Sequence, residues 1–293
     1  MKYRLNTTNY HTFSVFGVNN LPPRSYFIPY PTRADADAVT PKRKRYASPK
    51  VECLNGVWDF KFYPLPAELP AELDTDAVAF DKLDVPSCWQ FRGYDRPFYV
   101  NYRYQFPYKP PVIPTTDKVG RVFSWLGCDT GLRPRWITPE EEYNFVGVYR
   151  RFFDVADADK RIVISFLGVA SCLDLYLNGK YIGYAEGSHN TAEFDLSGKV
   201  QPGQNELLAV VHRWCNGTYL ENQDMFRNNG IFRDVLLRTE EPADFRDIDA
   251  KTEKKDGHYT LTLTAETHTD TTVTFTLQGH GLTRTATVPT QDK

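Results

Sequence analysis

Strict alternation of apolar and polar side chains, repeated over many short stretches, is the property that most limits how this chain can fold. Trp58, Phe60 and Phe62 project to one side of residues 57–63, the period-2 pattern of a strand with one buried face. Comparable stretches follow at 146–155, 161–169, 173–177, 181–186, 193–196, 206–214 and 234–239. Asn178-Gly179 lies between two of them. That dipeptide is the strongest short hairpin signal, because both positions of the two-residue turn need positive φ. Pro202-Gly203 marks another turn, before 206–214. Short strands, polar turns and no sustained helical period predict an all-β, antiparallel sandwich.

Composition agrees. Tyr, Phe and Trp make up 14% of the 293 residues while Met occurs twice, a balance suited to sheet cores and sugar-facing surfaces more than to helix bundles. With 41% hydrophobic residues the chain can bury a sizeable core. Lys+Arg is 35 against 37 Asp+Glu, a net charge of −2, which argues against a nucleic-acid or membrane-surface partner. Apolar stretches such as 162–170 are strand length, far below the ~20 residues of a spanning helix. Residues 1–20 contain no apolar core of a secretory signal, so the expected compartment is the cytoplasm. The cysteines at 53, 88, 128, 172 and 215 form no close pairs, and are expected to be reduced, buried thiols without a disulfide framework or zinc site.

Three regions are expected. Residues 1–50 have no sustained period and carry Pro22-Pro23, Pro29, Pro31 and the solvated run Lys42-Arg43-Lys44-Arg45; they read as an irregular arm. Residues 51–240 form the main sandwich. After Glu240-Glu241-Pro242 the sequence becomes leaner in aromatics and rich in Thr. Residues 246–253, 258–267, 272–279 and 282–288 read as four strands, about half of an immunoglobulin-like sandwich. The 241–293 region is therefore expected to be an incomplete domain and the chain a fragment.

The chain shows no nucleophile elbow, P-loop, dinucleotide glycine motif or His-Glu-x-x-His. Glu140-Glu141-Glu142 follows Thr138-Pro139 and reads as a turn or helix start with solvated charges. Retaining glycoside hydrolysis needs two carboxyl groups ~5–5.5 Å apart across one sugar, and no such pair is evident. No catalytic residue is expected within the chain.

Two polar, aromatic-rich clusters remain. Tyr219–Asp234 holds Glu221, Asn222, Gln223 and Asp224 in a row, flanked by aromatics and followed by Arg227. Carboxylate and amide groups can hydrogen-bond sugar hydroxyls while rings cover the C–H faces. Equally, the loop can be held by a buried polar network with Asp224 paired to Arg227 or Arg233. The second cluster, from Pro86 to Asn101, contains Trp89, Gln90, Tyr94, Phe98 and Tyr99; alone it reads as an irregular crossover, although Asn101 could bond hydroxyls in either direction.

Leu54-Asn-Gly-Val-Trp-Asp-Phe60, Val85-Pro-Ser-x-Trp-Gln90 and Gly93-Tyr-Asp-x-Pro-x-Tyr-x-Asn101 occur in that order. They are followed by Pro110-Pro111-x-x-Pro114, Leu177-Asn-Gly-x-x-Ile-Gly-Tyr184, Glu193-Phe-Asp-Leu196 and the 219–234 loop. Together these blocks resemble the N-terminal sugar-binding domain of the β-galactosidases of glycoside hydrolase family 2, over residues 50–238. The resemblance implies a jelly-roll sandwich followed by part of an immunoglobulin-like domain. A catalytic barrel with an acid/base and a nucleophilic glutamate would lie beyond residue 293. It implies hydrolysis of terminal β-galactosides such as lactose, with homo-oligomerisation or a later-domain subunit as partner. Asp224 matches the aspartate that contacts the galactosyl unit and ligates sodium, and Asn101 the asparagine that reaches the galactosyl hydroxyls. Magnesium is implied for the full-length enzyme. Phe226 stands where the family usually has tryptophan. The 118–142 stretch, with Trp125, Cys128 and Trp136, is longer than expected and reads as a cleft cap, a subunit contact or a self-packed surface loop. The competing reading is a stand-alone carbohydrate-binding module.

Overall fold

The computed structural model describes residues 1–39, 46–97, 99–100, 112–113, 144–221 and 223–290. Its strands, in chain order, begin with β1 (Lys2–Arg4), β2 (Gly17–Val18), β3 (Val51–Cys53), β4 (Gly56–Tyr63), β5 (Glu72–Asp74), β6 (Asp81–Val85) and β7 (Tyr99–Val100). They continue with β8 (Val146–Val155), β9 (Arg161–Phe166), β10 (Val169–Ala170), β11 (Cys172–Leu177), β12 (Lys180–Glu186), β13 (Ala192–Asp195) and β14 (Gly203–His212). The last are β15 (Met225–Phe226), β16 (Gly230–Ile231), β17 (Val235–Glu240), β18 (Phe245–Lys255), β19 (His258–Thr267), β20 (Thr272–Gly279) and β21 (Leu282–Pro289). The fold is all-β, as the alternation predicts. No helix among the described residues is long and apolar enough to cross a membrane.

Two units divide the chain. The first comprises residues 1–21, 53–159 and 163–237. Its centre is a seven-stranded sheet in the order β2-β12-β11-β14-β8-β4-β6. β8 and β14 pair antiparallel over ten residues, from Val146↔His212 to Val155↔Gly203. The β11–β12 hairpin turns at Asn178 (φ 49°) and Gly179 (φ 81°), the positive-φ pair the dipeptide predicts. The Asn178 side chain also ties the turn to β14, donating to Asn205 Oδ1 at 2.8 Å and accepting from Glu206 N at 2.9 Å.

The central sheet is covered on both faces. On one, Val146, Val148, Tyr176, Leu208 and Val210 pack with Tyr3, Leu5, Leu69 and Leu73. On the other, Gly183 lies against Phe194 of β13 so closely that an added Cβ would sit 2.8 Å from the ring. β13 belongs to a four-stranded sheet ordered β13-β9-β17-β3. Two antiparallel sheets facing each other across aromatic and aliphatic side chains make a β-sandwich.

The structure revises the expected 1–50 arm. Residues 1–21 belong to the first unit, where β1 pairs with β5, β2 pairs with β12, and Tyr3 and Tyr10 are buried. Periodicity misses this segment because β1 and β2 are only three and two residues long, too short to show a period. The 161–169 stretch divides into β9 and β10. The Gly168 carbonyl between them accepts from Phe232 and Arg233 N–H instead of joining a ladder. Cys172 and Cys215 are buried, but Cys88 is half-buried and Cys53, at the end of the short strand β3, is exposed, contrary to expectation.

The second unit comprises residues 22–52, 160–162 and 238–293. β18 pairs with β19, and β20 with β21, as separate antiparallel two-stranded sheets. The four strands expected from sequence are present within a few residues. Glu240 is 5% exposed and sits between two guanidinium groups and an imidazole: Arg161 Nε at 3.1 Å, Arg238 Nη1 at 2.9 Å and His268 Nε2 at 2.8 Å. Arg161, Arg238 and His268 together hold its carboxyl down to a pKa of about 2, against a desolvation that works the other way.

Candidate sugar-facing site

The two clusters that sequence singled out come together in the first unit. Gln90 and Asn229 exchange hydrogen bonds: Gln90 Nε2 donates to Asn229 Oδ1 at 3.0 Å, and Asn229 N donates to Gln90 Oε1 at 2.8 Å. Backbone bonds run alongside, from Trp89 N to Asn229 O and from Ser87 N to Ile231 O. Asn229, 2% exposed, also donates through Nδ2 to Arg213 O at 3.0 Å. Gly230 is required at this crossing. At φ +121° an added Cβ would lie 2.8 Å from the Tyr149 hydroxyl and 2.9 Å from Ser87 O.

β7 and β15 form a short antiparallel ladder, Tyr99↔Phe226 and Val100↔Met225. It leaves the Tyr99 and Phe226 rings 5.6 Å apart, and both residues are more than half exposed. Asp224 lies one residue before this ladder and accepts the Tyr99 hydroxyl. That hydrogen bond to a carboxylate, the largest cause, raises the Tyr99 pKa. Asp224 itself is exposed. An accessible carboxylate beside two exposed rings is what a sugar needs: an anionic acceptor for hydroxyls and apolar faces for ring C–H groups.

The loop is also held by a polar network, buried at Arg227 and half-buried at Glu221, but through other partners than expected. Arg227, 6% exposed, donates to Gln223 O. Arg233 donates to Leu167 O at 3.3 Å and to His189 O at 3.0 Å. Glu221 accepts from Ser188 N and Ser188 Oγ, both at 2.6 Å. The network reading of this loop is thus realised on other side chains: Asp224 is exposed while Glu221, Arg227 and Asn229 hold the backbone. Burial lowers the Arg227 pKa, and the charges of Glu221 and Asp224 work against that. A cavity of about 260 Å³ opens here, lined by Ser171, Ser188, Glu221, Phe226, Arg227 and Phe232.

Two carboxyls in this region, Glu186 and Glu221, influence each other electrostatically. Burial raises Glu186 to a pKa of about 7, the Glu221 charge adds to that, and hydrogen bonds from Tyr184 and Gly217 oppose it. Both groups are committed to the fold: Tyr184 OH donates to Glu186 at 2.6 Å, and Ser188 holds both oxygens of Glu221. Their bonding is that of structural groups, not of an acid and a nucleophile poised over one sugar.

Asn101 and the 118–142 stretch, including the Glu140–Glu142 triplet, lie outside the described residues. Among the described residues no group of three or more His, Cys, Asp or Glu side chains could hold a metal ion. The exposed carboxylate of Asp224 is a hard oxygen donor, the donor type that alkali and alkaline-earth cations take. Ser188, which holds Glu221, was not singled out from sequence. The polar turn Glu186-Gly-Ser-His-Asn190 directly after an alternating strand was the available signal.

The model of the glycosyl hydrolases family 2 sugar binding domain matches residues 51–129 and 136–242. A β-galactosidase of Actinobacillus pleuropneumoniae is 37% identical over 233 residues, covering 79% of this chain and 20% of that protein. β-Galactosidase 2 of Enterobacter cloacae is 36% identical over 245 residues, covering 80% of this chain and 21% of that protein. The chain thus spans about a fifth of the length of these relatives. Among solved structures, an apo β-glucuronidase from Ruminococcus gnavus superposes with a TM-score of 0.51 at 16% identity, covering 81% of this chain and 38% of that one. At that identity the likeness speaks for the fold alone.

Proposed function

The chain belongs to glycosyl hydrolase family 2, matched over its sugar-binding domain, and we propose that it supplies one wall of the galactose pocket of a retaining β-galactosidase. The observation that carries this reading is the β7–β15 ladder, which sets the Asp224 carboxylate against Tyr99 and beside the exposed Phe226 ring. Relatives named β-galactosidases at 36–37% identity support the galactoside. In this reading Asp224 and Asn101 orient galactosyl hydroxyls, and lactose is a natural substrate. The two catalytic glutamates belong to a barrel outside these 293 residues. Asp224 contributes one ligand to a sodium ion, which as a hard cation would hold a hydroxyl oxygen in place. Magnesium belongs with the barrel, and the whole enzyme is a cytoplasmic homo-oligomer.

Two measurements test the reading. In the full-length protein, Asp224→Ala lowers kcat/KM for a β-galactoside by about a hundredfold or more, through lost orientation of the sugar. Unchanged kcat/KM overturns the assignment. If affinity falls and no turnover exists to lose, the chain is a binding module. The 293-residue chain alone is expected to hydrolyse no β-galactoside, and turnover by a contaminant-free preparation would place catalysis within it.

A further inference from the structure

The loop presenting Asp224 is fastened at both ends to a single turn. After β12 the chain reverses through Gly187 at φ +94°, closed by Asn190 N donating to Gly187 O at 3.0 Å. At the near end of the loop, Ser188 gives its N–H to one oxygen of Glu221 and its hydroxyl to the other, both at 2.6 Å. At the far end, the His189 ring lies 5.5 Å from Phe232, and its carbonyl accepts from Arg233 Nη1 at 3.0 Å. Asp224 is at the exposed apex between these attachments.

Burial holds the near end of the loop only as far as Tyr219, which packs with Tyr10, Ile113 and Trp214. The next residue, Leu220, is 81% exposed, whereas Ser188 is 3% exposed. A carboxylate taking two donors from one residue, one on each oxygen, fixes both its position and its rotation. The loop then reaches Asp224 three residues later, and Arg227 closes it by donating to Gln223 O.

We propose that Ser188 and Glu221 are positioning residues for the sugar-facing carboxylate: their paired hydrogen bonds set where Asp224 stands relative to Tyr99, and so how it meets a sugar hydroxyl. The second half of that statement rests on the galactoside reading of Asp224; the first does not. Neither residue touches the sugar. The pair acts through the loop, so its effect must pass through Asp224.

The test reads the Tyr99 hydroxyl's hydrogen bond directly in the 293-residue chain, by the NMR chemical shift of ζ-carbon-labelled tyrosine at a fixed neutral pH. Asp224→Asn should move the Tyr99 resonance toward that of a free tyrosine. Ser188→Ala and Glu221→Gln should move it in the same direction, and Ser188→Thr, which keeps both donors, should restore the wild-type resonance. Glu221→Gln keeps size and shape, so it remains informative where Ser188→Ala does not fold. If Asp224→Asn shifts Tyr99 while Ser188→Ala and Glu221→Gln leave it unchanged, the pair does not position Asp224. If Asp224→Asn itself has no effect, the contact being positioned does not exist, and the proposal falls as well. In the full-length protein the same two variants should lower kcat/KM about tenfold, and should add no further loss in an Asp224→Ala background. Additive losses would make the role merely structural. A Tyr99 response to the pair together with activity indifferent to Asp224→Ala would preserve the positioning and remove the sugar reading.

Discussion

The first unit stabilises its strands by burial, and the second by charge. β11 is buried at every position, its alternate side chains serving two different layers. In the second unit β21 is exposed along its whole length, and Val273 is the fully buried apolar side chain among the described residues of β18–β21. Two-stranded hairpins are at best marginally stable in water without a layer to pack on. What is buried at the root of these hairpins is the Glu240 cluster, and Lys50 adds a pair with Asp244 at 2.6 Å. The same alternating sequence pattern thus serves two regimes, and only in the first does the apolar side of each strand meet a partner.

The largest effect should come from breaking the inter-sheet contact of the first unit. Phe194→Ala empties a fully buried aromatic site and should cost about 3–5 kcal/mol, read as a lower urea midpoint. Gly183→Ala should be comparably harmful, since its Cβ would collide with Val18 O. An unchanged midpoint in either variant would show that the sheets are not tightly keyed there.

Next comes the charge cluster. Glu240→Ala removes a carboxylate from Arg238, itself 4% exposed, and should cost roughly 2–3 kcal/mol, the scale of charged hydrogen bonds. Because the folded pKa of Glu240 is depressed, to about 2 from 4.5, its contribution is fully present above pH 4.5. It is lost as pH falls from there toward 2. Hydrogen exchange of β18–β21 amides should accelerate over that window in the wild type and show no such pH dependence in Glu240→Ala.

The first unit contains groups of the opposite sign. Burial raises Asp174 to a pKa of about 7, partly offset by hydrogen bonds from Tyr181 and Asn9. A carboxyl whose folded pKa lies above its unfolded value destabilises the fold as pH rises from about 4 through 7. Asp174→Asn should therefore gain stability relative to wild type at pH 8, on the order of 1 kcal/mol, and lose that advantage at pH 4. His212, lowered to about 3 by burial, opposes this below pH 6.5, so the single variant and not the wild-type profile isolates Asp174. Smallest of all, Leu261→Ala in the second unit, where the side chain is 40% exposed, should change stability by no more than about 0.5 kcal/mol. A larger loss would mean that this leucine is covered in solution.

Much of the fold was legible because sheet residues announce themselves locally. β8 begins and ends at the expected residues, and the β11–β12 turn follows from Asn178-Gly179. The resemblance was legible for the same reason: its motifs are short, ordered and dense in turn formers. Residues 1–21 were not, because an edge strand of two or three residues and a few capping aromatics have no period to detect. Nor was the division of labour in the 219–234 loop. Sequence placed Glu221, Asp224 and Arg227 in one polar run, with no way to tell the outward carboxylate from the buried anchors.

By itself, then, the sequence determined that this is an antiparallel β protein with hairpin turns at stated residues and a polar, aromatic-rich cluster around Asp224. Alternation and turn chemistry are properties of near neighbours. Tertiary structure alone decided that Gln90 meets Asn229 139 positions away, that Ser188 holds Glu221, and that Tyr99 faces Asp224. Those contacts depend on where distant strands lie when two sheets close on each other, and no local pattern encodes that placement.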